Sequence, residues 1–149
     1  MSAGSSVRTA TMTALAFVGG MAGSLVRAGS EHVAWVLEIP VWTATLCVNV
    51  TAAFLAGLLG RLLLGVVTRR TAIAAEVVDS WSVRAQSANV LLVTGFCGGL
   101  STFSSFGVEM EELLRNGLHG QAALAWLLSM SVGLPAAWLG LSLGSRHDR

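Results

Sequence analysis

Lysine and tyrosine are absent, and there are only two cysteines, two prolines and 11 % charged residues in 149. A soluble domain carries about 25 % charged residues, so the scarcity of charge argues against one. The net charge of +1 implies no strong attraction to nucleic acid. Cys47 and Cys97 both sit in apolar stretches, which suits small buried hydrophobes better than a disulfide or a metal pair. His32, His119 and His147 are far apart. They make no metal-ligand spacing and no nucleophile–base pair, so no enzyme signature is present. Pro/Gly/Ser-rich linkers, low-complexity segments and short internal repeats are also missing, which leaves residues 1–149 as a single domain.

Apolar residues fill the space: 54 % of the chain, with a mean hydropathy of +0.70. A membrane span takes about 20 residues, and the length accommodates four. The expected fold is an all-α membrane protein with spans near residues 9–26, 41–64, 88–114 and 121–143. Gly19, Gly20 and Gly23 with Ser24 put small residues at i and i+4, which lets a neighbouring helix approach closely. Arg27 ends the first span, either as an interfacial charge or as a structural ion pair. Residues 28–40 read as a connector holding Glu31, His32 and Glu38. Pro40 suits the start of the second span. Asn49 reads two ways, as an interhelical hydrogen bond or as an amide donor facing a wet path. Residues 68–87, with Arg69, Arg70, Glu76, Asp79 and Arg84, read as a loop or interfacial helix.

Both termini and the second connector share one side of the membrane in this topology. That side holds Arg8, Arg69, Arg70, Arg84, Arg146 and Arg149; the other holds Arg27 and Arg115. The six-to-two arginine ratio places the termini in the cytoplasm by the positive-inside rule.

The third span contains Gly95-Phe96-Cys97-Gly98-Gly99-Leu100-Ser101-Thr102-Phe103-Ser104-Ser105-Phe106. Glycine weakens a helix by about 1 kcal/mol relative to alanine, and three fall within five residues here. Four hydroxyl residues follow, able to divert backbone hydrogen bonds. Non-helical backbone is tolerated at membrane depth only inside protein or beside a watery cavity. The stretch therefore reads as a mid-membrane helix break, set against an ordinary helix packed through small residues. Phe103 and Phe106, at i and i+3, share a stripe that suits either core packing or a pathway wall. Glu109 follows one turn later, as a solvated helix end or a pore-mouth carboxylate.

This stretch resembles the signature of the Fluc (CrcB) fluoride channels. Gly19-Gly20-x-x-Gly23-x-x-x-Arg27 and Thr45-Leu-x-Val-Asn49, leading to Phe54 and Gly57, agree with it in order and spacing. The resemblance covers all four spans. It implies a bacterial plasma-membrane protein that pairs antiparallel with a second subunit, itself or a paralogue, in the lipid bilayer. Two fluoride pathways would run along the dimer interface. A structural sodium ion would be held by backbone carbonyls at Gly98 and Ser101, where the family usually has threonine for Ser101. Asn49, Phe103 and Phe106 would line the fluoride pathway, with Ser104, Ser105 and Ser129 as its hydroxyl track. Arg27 and Glu109 are left as pore-mouth or structural residues.

The chemistry agrees with these roles. Fluoride is strongly hydrated, and hydroxyl and carboxamide hydrogens can replace lost water. Aromatic ring edges carry partial positive charge. Ala44, Ala52, Ala53 and Ala125 depart from the family pattern. With the arginine imbalance they raise the expectation of a heteromeric pair. A four-helix proton-coupled multidrug transporter needs a membrane-embedded carboxylate, and the first span has none. A non-conducting scaffold would need no polar break.

Overall fold

The computed structural model describes the backbone of residues 3–71 and 78–146. Among these residues the chain is helical throughout, with no strand. Helix α1 covers Ala3–Val36 and α2 covers Val41–Thr71. A third rod follows in pieces. It comprises α3 (Val78–Asn89), a π-helical stretch (Val90–Cys97), the short α4 (Gly98–Leu100) and α5 (Ser104–Arg115). Helix α6 is His119–Arg146 and contains Pro135. Four helices are long and apolar enough to cross a membrane.

The helices outrun the expected spans. At about 1.5 Å per residue, the 34 residues of α1 reach roughly 50 Å, beyond a hydrocarbon core of about 30 Å. Residues 28–36, expected in a connector, continue the helix. Arg27 and Glu31 pair at i,i+4, at 2.9 Å, and Ser30 Oγ caps back to Arg27 O. The charged pair therefore lies within the helix and does not end it. The chain turns only at Glu38, which has a φ of 57°, just before Pro40. The expected loop at 68–87 shrinks likewise: α2 continues to Thr71 and α3 begins at Val78. Residues 72–77, with Glu76, and the tail 147–149 lie outside the described residues. Asn116 and Gly117 make the tight turn expected there, with Gly117 at a φ of 73°.

Packing sorts the helices into two close contacts. Helix α1 lies along the π-helical stretch and α4, while α2 lies along α6. Both contacts bring backbone against backbone. A Cβ on Gly23 would stand 2.6 Å from Leu100 N, and one on Gly95 would stand 2.8 Å from Ala16 O. On the other side, a Cβ on Gly140 would stand 2.8 Å from Leu58 N. The small-residue run read from the sequence thus has its partner in the third rod. Gly23→Ala and Gly140→Ala should each destabilise the protein by about 1–3 kcal/mol through overpacking. Thermal unfolding in detergent measures this, and an unchanged melting temperature would contradict the close approach.

The buried interior is thin. Val48, Ala52, Cys97 and Leu100 form its cluster, with Phe96 and Leu55 packed against it. Large apolar side chains such as Phe17, Leu25, Trp126 and Leu134 face outward. Lipid or another protein must cover such a surface. Cys97 is buried as expected. Cys47 is not: it lies on the exposed face of α2, and both thiols are free.

Candidate functional site

Regular helical backbone lapses between α4 and α5. Ser101 is extended, with φ −77° and ψ 149°, and Phe103 returns to helical angles at the N-cap of α5. The hydrogen bonds explain how this conformation is held. In an unbroken helix the Thr102 N–H would bond to Gly98 O. It donates instead to Asn49 Oδ1 at 2.8 Å. Asn49 Nδ2 in turn donates to Thr102 O at 3.0 Å. One carboxamide on α2 satisfies both backbone groups of one residue at the interruption. The Ser105 N–H, which would otherwise reach Ser101 O, donates to Thr102 Oγ1 at 3.1 Å.

These diversions release carbonyls. Among the described residues, Gly98 O and Ser101 O receive no backbone donor from the interruption. Leu100 is buried, whereas Gly98 and Ser101 are exposed. Gly99 O is reached by Ser24 Oγ at 3.4 Å. Gly98 and Ser101, the two positions expected to hold a cation, are thus exposed residues beside the interruption.

The phenylalanines separate by exposure. Phe103 is 83 % exposed and Phe106 only 7 %, with ring centroids 6.3 Å apart. Both border a cavity of about 430 Å³ between α2, the interruption and α6. Asn49, Ser101 and Ser129 line it too. Ser129 Oγ donates to Ala125 O, 2.8 Å away on its own helix. Ala125 is itself buried, as is Ala52.

Ser104, Ser105, Glu31 and Glu109 line a second cavity of about 310 Å³. Arg27 Nη1 donates to Glu31 and, at 3.3 Å, to Ser105 Oγ. Glu109 Oε1 accepts a 2.5 Å hydrogen bond from Thr45 Oγ1, and Thr45 is fully buried. Arg27 Nε and Glu109 Oε2 are buried with no protein partner among the described residues.

The structure thus gathers Asn49, Phe103, Phe106 and Ser129 at one cavity. Ser104, Ser105 and Glu109 border the other, with Arg27 bonded to Ser105 at its edge. Three participants went unassigned from sequence: Thr102, Thr45 and Glu31. The i,i+4 spacing of Arg27 and Glu31 was a readable signal. The hydroxyl run that contains Thr102 signalled diverted backbone bonds, but the pairing of Thr102 with Asn49 and of Thr45 with Glu109 could not be read, because these partners are distant in sequence.

Four membrane-competent helices and a polar interruption define a small multi-pass membrane protein. Residues 14–141 match the family described as CrcB-like protein, Camphor Resistance (CrcB), and the chain belongs to that family. A protein of Chlorobium chlorochromatii named fluoride-specific ion channel FluC is 36 % identical over 125 residues, covering 83 % of this chain and 84 % of the relative. One of the same name from Coxiella burnetii is 34 % identical over 133 residues, covering 87 % and 94 %. Another from Pseudomonas fluorescens is 38 % identical over 131 residues, covering 84 % and 90 %.

Proposed function

We propose that this chain is one subunit of a fluoride-selective channel that lets fluoride leave the cytoplasm passively across the bacterial plasma membrane. The observation that carries this reading is the interruption at residues 101–103, where an exposed ring and a cluster of hydroxyls meet two cavities. The names of the relatives above point the same way. An acidified exterior drives fluoride inward as the neutral acid, and an open anion path returns it down its gradient. No bond is made or broken, so the chain is not an enzyme.

The donor set suits the ion. The Ser105 hydroxyl, the carboxamide of Asn49 and the ring edges of Phe103 and Phe106 can each take over part of a hydration shell, with Ser104 beside them in the same hydroxyl row. Arg27, already shared between Glu31 and Ser105, offers positive charge without forming a full cationic ring. Weak, distributed sites favour exit as well as entry.

Gly98 and Ser101 fit a sodium ion, because unwound backbone carbonyls are ligands such an ion takes in membrane proteins. Two oxygens are too few to enclose a cation, so an antiparallel second subunit would complete the shell from its own interruption. Bound there, sodium would act structurally, neutralising carbonyl dipoles that face one another. The break would then sit mid-membrane, at the centre of a dual-topology dimer. The partner is a second copy or a paralogue of opposite orientation; the six-to-two arginine ratio motivates the latter.

The test is fluoride efflux from vesicles containing this chain purified alone, read with a fluoride electrode and with chloride as control. Fast fluoride release with negligible chloride release supports the channel and shows that no paralogue is needed. Fluoride release only after adding a paralogue supports the heteromer. Equal chloride release, or none of either ion under both conditions, would refute the reading. Replacing sodium by a bulky organic cation should slow efflux and lower the melting temperature.

A further inference from the structure

A hydroxyl carries one hydrogen and two acceptor positions. Applied to the cluster at the interruption, that count gives the hydrogens a direction. Thr102 Oγ1 donates its only hydrogen to Ser105 Oγ at 3.3 Å and accepts the Ser105 N–H at 3.1 Å. Its 3.2 Å contact with Ser104 Oγ must then take the hydrogen from Ser104. Thr102 Oγ1 is filled, and Ser104 has spent its hydrogen on it. Ser105 Oγ accepts twice, from Thr102 and from Arg27 Nη1 at 3.3 Å. Its own hydrogen has no protein acceptor among the described residues, and Ser105 borders the second cavity. Ser129 has committed its hydrogen to Ala125 O.

We propose that Thr102 is a positioning residue that orients this hydroxyl row, so that Ser105 is the serine presenting a free hydroxyl hydrogen to a passing anion. The inference rests on the fluoride-channel reading. It assigns unequal roles to serines that the sequence leaves equivalent. Two features strengthen the arrangement. Thr102 is held at both backbone groups by Asn49, and its β-branched side chain is stiff at χ1. Chained donors also polarise one another. With a guanidinium at its oxygen, the Ser105 hydroxyl is the better donor for it.

Fluoride efflux from vesicles tests the ordering, comparing wild type with S105A, S104A, T102V and T102S. S105A should slow efflux by about tenfold, the scale of one hydrogen bond to a charged group, and S104A by clearly less. T102V, which keeps the branched shape without the hydroxyl, should fall to the S105A rate. T102S should recover most of the lost rate, which a purely steric role for Thr102 would not give. Losses as large in S104A as in S105A, or T102V matching T102S, would overturn the assignment. Should T102V fail to fold, the S104A and S105A comparison still decides it. Wild-type protein without fluoride efflux would remove the channel reading and this role together. Wild-type efflux with the wrong order removes only the role.

Discussion

Asn49→Ala is expected to slow fluoride efflux by about a hundredfold while leaving the four helices in place. The carboxamide is bonded to both the N–H and the C=O of Thr102. Truncation leaves two backbone groups unpartnered, at about 1–3 kcal/mol each, and about 2.7 kcal/mol corresponds to a hundredfold. The loss falls on the interruption, because that is where the freed groups lie. Asn49→Asp should be no better. It keeps an acceptor for the Thr102 N–H but sets a carboxylate against Thr102 O and against any anion nearby. Efflux rates alongside circular dichroism separate a lost pathway from a lost fold. Efflux within twofold of wild type in either variant would mean that Thr102 is held by other contacts.

The second large effect is a contrast between the two rings. Phe106 is buried, so Phe106→Ala should cost about 3–5 kcal/mol of stability through the cavity it leaves, with efflux falling in step. Phe103 is 83 % exposed in the single chain. Phe103→Ile should therefore leave the melting temperature of the detergent-solubilised protein nearly unchanged. Efflux should still drop by roughly tenfold or more, as a positive ring edge is replaced by alkyl surface. Unchanged efflux in Phe103→Ile would make that ring a lipid or partner contact with no part in permeation.

How far the sequence was legible can be judged residue by residue. The glycines and hydroxyls of residues 95–106 signalled weak helix, and regular backbone does lapse between Leu100 and Ser104. Local composition carries that information, because propensity acts residue by residue. The brace could not be read, since Asn49 and Thr102 stand 53 residues apart. The two readings of Asn49 meet in one arrangement: its amide makes an interhelical bond and still borders a cavity. The π-helical stretch Val90–Cys97 carries no glycine until Gly95 and reads as plain apolar helix. The length of α1 was missed for a simpler reason. Arg27 was taken as a stop, yet its pairing with Glu31 supports another two turns of helix.

Helix α2 touches both halves of the third rod. Upstream of the gap, α1 and α2 both pack on the π-helical stretch and α4; downstream, α5 touches α2 and α6. Asn49 adds a bond from α2 to Thr102 in the gap itself, so one helix holds the rod before, at and after its interruption. A sideways shift of α2 would therefore arrive directly at Thr102 and at the neighbouring Phe103 ring that borders the cavity.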